Sequence, residues 1–167
     1  MDFQRLLLPG FHSRRAVTRA TSLACVLLLF AGCGGRERST TAAPDSTSTG
    51  AALAWIQDYY RAINERRYRD AYTHWEQGGQ ASRKTFEEFR TGFDKTESVE
   101  VIVGRPGPVG AAAGSRYIEV PVRIVAREHD GSQQTYSGSY TLRLSVVDGA
   151  TPEQRTWHIY SAQVRKL

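Results

Sequence analysis

Residues 53–64 of the chain read LAWIQDYYRAIN, and large apolar side chains return in this run every three or four positions. Leu53, Ile56, Tyr60 and Ile63 fall on one stripe of a helix, while the charged residues of the run fall elsewhere. This periodicity predicts a first helix that buries one face and leaves the opposite face in water.

Two further helices are predicted downstream. The next segment continues at spacings of three and four through Tyr68, Ala71, Tyr72 and Trp75, and it is expected to end before Gly78. A third helix is expected to begin at a capping box, in which Thr85 is followed three residues later by Glu88. Its apolar anchors are Phe86, Phe89 and Phe93.

From residue 96 onward the apolar period changes from helical to two. Apolar and polar side chains alternate in residues 99–103, 116–127, 134–147 and 157–164, and glycine, proline or aspartate separates these runs. The alternation predicts four strands, each with one buried face. Because the helices come first and the strands follow as a meander, we expect an α+β domain in which three helices cover one face of an antiparallel four-stranded sheet.

The helical motifs and the element order together resemble the nuclear transport factor 2-like superfamily. The residues that carry the resemblance are WIQDYYRAIN at 55–64 and YRDAY at 68–72, and it extends over residues 51–167. The resemblance implies a curved sheet that wraps the helices into a cone, the cystatin-like roll that SnoaL-like proteins and ketosteroid isomerases also have. In this superfamily the mouth of the cone often forms a pocket, although the fold alone does not define an activity.

Weak catalytic candidates follow from the same resemblance. Tyr59 matches the tyrosine that stabilises an oxyanion in the ketosteroid isomerases, a reaction that also needs a base. Residues 75–84 contain no aspartate to match that base, and Glu76 is the only carboxylate nearby. His158 on the last predicted strand is the third candidate. We interpret Tyr59 as a core or pocket-lining residue and expect a domain without catalytic activity.

The aromatic residues of the domain either fill its core or partly line a cavity. The candidates for lining a pocket are Trp55, Tyr59, Tyr72, Trp75, Tyr140 and His158. The histidines of the domain lie at widely separated positions, without the spacing that gathers metal ligands. No metal and no cofactor is therefore expected.

The N-terminus predicts export and lipid attachment. Residues 27–33 read LLLFAGC after a region with four arginines, and the apolar run is too short to span a bilayer as a helix. This pattern resembles the bacterial lipobox, which implies that residues 1–32 are a signal peptide and that Cys33 is acylated. The alternatives are a free cysteine near an ordinary cleavage site, or an uncleaved anchor. Residues 33–50 form a linker rich in serine, threonine and glycine.

Removal of the signal also changes the charge. The whole chain has 22 basic and 17 acidic residues, and the loss of four arginines and one aspartate leaves a net charge of +2. The cluster of Arg66, Arg67 and Arg69 is interpreted as solvated helix surface, so no nucleic-acid partner is expected. Since Cys25 leaves with the signal and Cys33 is acylated, no cysteine remains for a disulfide or thiolate site.

These observations predict a lipid-anchored cell-envelope protein, held to the membrane through Cys33, whose domain binds a protein partner or a small apolar ligand. The alternatives are an isomerase, cyclase or dehydratase of the same fold, and a structural or assembly module. Because Gly34 follows the cysteine in place of aspartate, the sorting habit of such lipoproteins implies the periplasmic face of the outer membrane in a source with two membranes. A homodimer is also predicted, through the outer sheet face that carries Tyr117, Glu119, Arg123, Arg127 and Arg143.

Overall fold

The computed structural model describes residues 45–167, so the predicted signal peptide, Cys33 and most of the linker lie outside the described residues. Within this range three α-helices precede a series of strands. The elements are α1 (Thr49–Asn64), α2 (Tyr68–Thr73), a 3₁₀ segment (Gln77–Ser82), α3 (Phe86–Thr91), β1 (Thr96–Val103), β2 (Gly110–Ala112), β3 (Ser115–Glu128), β4 (Gln133–Ser145) and β5 (His158–Lys166).

Side-chain caps define where two of the helices begin. The Ser48 hydroxyl accepts a hydrogen bond of 3.1 Å from the amide of Ala51 and starts α1. At α3 the predicted capping box is confirmed, because the Thr85 hydroxyl accepts from the Glu88 amide at 3.3 Å and the Glu88 carboxylate accepts from the Thr85 amide at 2.8 Å. The buried face of α1 is broader than one stripe; it contains Ala52, Ile56, Tyr59, Tyr60, Ala62 and Ile63.

The second helix is shorter than the sequence pattern predicts. It ends at Thr73, and Trp75 forms a parallel bridge with Ile159 of β5. The Glu76 amide donates to the Ile159 carbonyl at 3.0 Å, and the Ile159 amide donates to the His74 carbonyl at 2.8 Å. The assignment of Trp75 to a helix is therefore wrong, because hydrogen bonds to the free edge of β5 replace those that another helical turn would supply.

The expected α+β architecture is confirmed. The long strands follow the order β1-β3-β4-β5, all antiparallel, and the short β2, which the sequence analysis missed, also pairs with β3. Ile118 lies opposite Leu142 in the core, and the adjacent pair Tyr117 and Arg143 lies on the other face. The predicted alternation of buried and polar faces on β3 thus matches the observed burial.

The sheet is curved, and the helices cover its concave face. Gly138 lies within β4 where β5 approaches so closely that a Cβ atom would be 1.9 Å from the Gln163 carbonyl oxygen. The register between these strands also shifts between Thr141 and Leu142, which leaves Tyr160 as an extra residue in β5. At the opposite edge, the Asn64 side chain at the end of α1 donates to the Val99 carbonyl at 2.8 Å and accepts from its amide at 2.7 Å.

Candidate functional site

The concave interior is filled by tyrosines from α1 and β4. Tyr59, Tyr60 and Tyr140 are buried, and the hydroxyls of Tyr60 and Tyr140 share a hydrogen bond of 2.6 Å. Burial raises the pKa of Tyr140 to about 12, although the hydrogen bond to Tyr60 offsets part of the rise. These phenols therefore stay protonated at neutral pH.

Tyr59 is packed on several sides by aromatic rings. Its ring lies 4.9 Å from that of Tyr60, 6.2 Å from that of Tyr140 and 6.4 Å from that of Trp75. Burial raises the pKa of its hydroxyl well above the ordinary value, the nearby Tyr140 adds to the rise, and the Trp75 indole offsets part of it. Among the described residues no carboxylate forms a hydrogen bond with this hydroxyl, so the tyrosine lacks an adjacent base.

At the edge of the sheet, neighbouring residues point to opposite faces. The ring of Trp75 lies 6.1 Å from that of Tyr140 in the interior, whereas the carboxylate of Glu76 reaches Arg143 on the outer face at 2.6 Å. The strand-like bridge to β5 produces this alternation, since successive side chains of an extended chain point to opposite sides. The sequence candidate Glu76 is thereby separated from the interior that contains Tyr59.

The outer cleft, as we name it, is a polar cavity of about 490 Å³ on the side of the sheet away from the aromatic interior. The 3₁₀ segment borders one side of it and the loop between β4 and β5 borders the other. Its lining side chains are mostly charged groups, hydroxyls and amides: Glu76, Gln77, Ser115, Arg143, Ser145, Thr151, Glu153, Gln154 and His158, with Gly78.

An ion pair between Glu76 and Arg143 lines the outer cleft. The side chain of Glu76 is 12% exposed and that of Arg143 is 34% exposed, so the pair is partly shielded from water. Partial burial disfavours the charged guanidinium, but the Glu76 carboxylate and the Tyr117 hydroxyl outweigh it and raise the pKa of Arg143. The two charges cancel, and the pair can offer directional hydrogen bonds without a net charge.

His158 lies at the boundary between the two regions. It is 8% exposed, its Nδ1 is 3.2 Å from the Thr156 carbonyl oxygen, and its ring is 5.0 Å from that of Trp55. It also lines the outer cleft with Glu76. The structure therefore brings together two of the three weak catalytic candidates and leaves Tyr59 on the other side of the sheet.

The six candidates for lining a pocket lie in different surroundings. Tyr59, Tyr72 and Tyr140 are buried in the core, and Trp55 packs against it. His158 lines the outer cleft, and Trp75 lines a separate groove along the edge of β5. Arg143 was noted in the sequence only as a residue of the outer sheet face, because its partner Glu76 is 67 positions away and no local pattern links the two.

The structure can be compared with solved structures of other proteins. One, named "Putative Scytalone Dehydratase", from Novosphingobium aromaticivorans, superposes with a TM-score of 0.50 at 12% identity over 71% of this chain and 83% of that chain. For the Kfla4162 protein of Kribbella flavida the TM-score is 0.49 at 12% identity, with 73% and 93% covered. A "putative dehydratase from the NTF2-like family" of Streptomyces avermitilis gives 0.46 at 9% identity, with 71% and 98% covered.

The first of these similarities and the observed architecture show a nuclear transport factor 2-like fold, and at 12% identity the similarity extends to the fold alone. No family model matches the sequence, and no curated protein matches it significantly. Across residues 45–167 no helix is long and apolar enough to cross a membrane. The same residues contain no cluster of acidic, histidine or cysteine side chains with the geometry of a metal site.

Proposed function

We propose that the protein is a lipid-anchored component of the cell envelope whose domain binds a neutral polar ligand in the outer cleft without transforming it. The observation that carries the proposal is the contrast between the two faces of the sheet. Aromatic residues fill the concave side, where relatives of this fold often have a pocket, while the opposite side has an open cavity of about 490 Å³. A polar cavity of this size accommodates a ligand such as a sugar unit or a short peptide.

The character of the ligand follows from the charges of the cleft. Arg143 is already neutralised by Glu76, and Glu153 adds a further negative charge to the rim. An anion would therefore meet no free cation among the lining residues and would be repelled by Glu153. Hydroxyl and amide side chains such as Ser115 and Gln154 instead match the donors and acceptors of a neutral ligand.

The binding proposal is tested by titration of the isotope-labelled full chain in detergent, followed by NMR. The probes are N-acetylglucosamine as a neutral polar ligand, succinate as an anion and androstenedione as an apolar steroid. We expect N-acetylglucosamine to shift the backbone amides of Ser115, Ser145 and Gln154, and the other two probes to leave them unchanged. Arg143→Met should abolish the shifts, whereas Arg123→Met, an exposed arginine on the same sheet face, should preserve them.

Two results would contradict this proposal. One is shifts that cluster at Tyr59 and Tyr140 when the steroid is added, which would mean that the interior opens to an apolar ligand. The other is the absence of shifts at the cleft with all three probes.

An enzyme of the isomerase, cyclase or dehydratase type is the alternative, and one observation favours it: Glu76 and His158 line the same cleft and could serve as base and acid. Against it, the Glu76 carboxylate is engaged by Arg143 at 2.6 Å. Turnover of a ketosteroid that Glu76→Gln or His158→Gln abolishes, with Arg123→Gln as the control, would favour this alternative over simple binding.

The lipid anchor rests on the sequence alone. Residues 27–33 and the linker that follows resemble those of exported lipoproteins, and the periplasmic face of the outer membrane is the proposed location where two membranes exist. Labelling of cells with an alkyne analogue of palmitate should mark the native chain and the Cys25→Ser variant. The Cys33→Ser variant should carry no label; a label that persists in it would contradict the proposal.

The predicted homodimer remains a proposal about the outer sheet face. That face is partly engaged within the chain, since Ser139 donates to Glu119 at 2.6 Å and Tyr117 packs against Tyr160 with ring centres 5.9 Å apart. Sedimentation equilibrium of the full chain in detergent, with Arg123→Glu as the disruptive variant, measures whether two copies associate there.

A further inference from the structure

We propose that the free edge of β5 binds an extended acidic peptide segment of a partner protein, which adds to the sheet as a new strand. This β5 edge is defined as residues 162–166, Ala162 to Lys166. It is a different surface from the outer cleft, and the proposal does not depend on a ligand in that cleft.

The topology leaves this edge without a neighbour. β5 pairs with β4 on one side, and on its other side the described residues provide only the bridge between Trp75 and Ile159. After that bridge the chain turns into the 3₁₀ segment, which forms no further backbone hydrogen bond with β5 among the described residues. Edges with unpaired backbone groups are templates for the addition of another strand.

The register identifies which backbone groups are free. The Leu167 amide donates to the Thr135 carbonyl at 2.9 Å, so the odd-numbered residues at this end of β5 form the hydrogen bonds to β4. The amides and carbonyls of Ala162, Val164 and Lys166 consequently point away from the sheet. These three residues alternate regularly, as a ladder with an incoming strand requires.

A groove runs along the same edge and provides space for the incoming chain. Its volume is about 410 Å³, and Ser82 and Arg83 of the 3₁₀ region line one side while Ser161, Ala162 and Gln163 line the other. Arg83 lines this groove, and three more exposed basic residues are close to it along the chain: Lys84 next to Arg83, and Arg165 and Lys166 at the end of β5. None of the four forms a salt bridge among the described residues.

The positive charge of these residues favours an acidic segment as the added strand. Acidic side chains on an added strand would meet Arg83 in the groove and the charges of Arg165 and Lys166 at the end of β5, whereas a basic strand would be repelled. A second copy of β5 is a poor occupant because the strand contains no acidic residue: antiparallel pairing about Val164 would place Arg165 opposite Gln163 and Lys166 opposite Ala162, so neither cation gains a partner. The acidic segment is therefore the partner that fits both the backbone edge and the charge.

The other edge of the sheet differs. On β1 the Asn64 side chain occupies the amide and the carbonyl of Val99, and Arg66 donates to the Glu97 carbonyl at 3.0 Å. These contacts interrupt the outward ladder of β1. A strand is thus expected to add at β5 and not at β1.

The test uses the full chain in detergent and two capped heptapeptides that alternate valine with glutamate or with lysine. Fluorescence anisotropy should detect binding of the glutamate peptide and none of the lysine peptide. The double variant Arg165→Glu/Lys166→Glu should weaken binding by roughly tenfold or more, since two favourable charge contacts become repulsive. The control Lys95→Glu/Arg105→Glu has the same change in net charge on exposed residues just outside the two ends of β1 and should stay within about threefold of the native affinity.

Amide hydrogen exchange supplies a second readout that charge attraction alone would not produce. In the complex, the amides of Ala162, Val164 and Lys166 should become protected, while those of Gln163 and Arg165, already bonded to β4, should change little. Unchanged exchange at the three outward amides, equal binding of the two peptides, or equal losses in the two double variants would overturn the proposal. Self-association of the chain through β5 in sedimentation experiments would overturn it as well.

Discussion

The concave interior and the outer cleft each contain two polar side chains that bond to each other, but the two pairs differ in their access to solvent. In the interior, the hydroxyls of Tyr60 and Tyr140 bond to each other and are removed from water. In the cleft, Glu76 and Arg143 also bond to each other, but they remain open to a ligand. Paired polar groups therefore lie out of water on one side of the sheet and line an open cavity on the other.

The difference arises between residues that are adjacent in the chain. Trp75 and Glu76 point to opposite faces, and so do Leu142 and Arg143. A strand that supplies the core with one residue supplies the cleft with the next. Substitutions of such neighbours should separate the stability of the domain from its recognition of ligands.

The largest effect is expected for Leu142→Ala, which removes a fully buried side chain from the centre of the core. The free energy of unfolding should fall by about 2–5 kcal/mol, because the apolar burial is lost and a cavity remains. Urea denaturation measures the change. The control Thr141→Ala changes the preceding residue, on the outer face, and should cost about 1 kcal/mol or less. Comparable losses for the two variants would mean that the core face of β4 does not contribute more to stability than its outer face.

A somewhat smaller effect is expected for Gly79→Ala, at the turn between Trp75 and α3. The backbone of Gly79 has a φ of +106°, and a Cβ there would lie 2.2 Å from the Tyr72 ring. The combined strain and overpacking should cost about 2–4 kcal/mol. Gly78→Ala is the matched control, since its Cβ would meet nothing within 4 Å, and a small cost of about 1 kcal/mol is expected from its φ of +62°. Thermal unfolding of both variants tests the difference.

Tyr60→Phe tests the buried hydrogen bond of the interior. It removes one hydroxyl and leaves that of Tyr140 without its partner, so the free energy of unfolding should fall by about 1–3 kcal/mol. The double variant Tyr60→Phe/Tyr140→Phe should recover part of the loss, because it leaves no unpaired hydroxyl. If the two single losses simply add in the double variant, the hydroxyls are not coupled.

The smallest expected effect is a pH dependence from His74, which packs beside Trp55 with ring centres 4.5 Å apart. Burial lowers the pKa of His74, and a hydrogen bond to the Asp70 carbonyl, together with the nearby Asp58 carboxylate, offsets this in part, while His158 adds slightly to the lowering. Below the ordinary value of 6.5 the unfolded chain binds a proton that the folded chain does not. The contribution of His74 to the free energy of unfolding should therefore be fully present above that pH. It should decline as the pH falls toward the lowered pKa.

Urea denaturation between about pH 7.5 and 5.5 measures this slope, in a range above the titration of ordinary carboxyl groups. The variant His74→Gln should have a flatter pH profile than the native chain. The control His129→Gln, at an exposed turn position, should keep the native slope. An unchanged slope in His74→Gln would contradict the assignment of this pH dependence to His74.

The sequence predicted the elements of the fold because their signals are local. The spacing in α1, the capping box of Thr85 and Glu88, and the alternation in β3 each involve residues within a few positions of one another. The short β2 and the 3₁₀ segment were missed, since three small residues and two glycines carry no periodicity. Trp75 was misassigned because its spacing is helical, while its hydrogen-bonding partner lies far along the chain on β5.

The candidate site was harder to predict for the same reason. Glu76 and His158 could be named as titratable residues, but their common cleft depends on the register of β4 with β5 and on the bridge at Ile159. Arg143 could be assigned to the outer face by alternation, although its ion pair could not. Whether aromatic residues fill a cone or line it is decided by packing, which a pattern of residue types does not encode.

The amide of Asn64 has a consequence for stoichiometry. By occupying the backbone groups of Val99, it shortens the open part of the β1 edge and leaves β5 as the longer free edge among the described residues, so each chain is expected to bind one added strand. A receptor with two open edges could be linked by its ligands into a polymer, whereas a monovalent one yields discrete pairs. If the chain is lipid-anchored as proposed, the number of captured partners would equal the number of chains on the membrane.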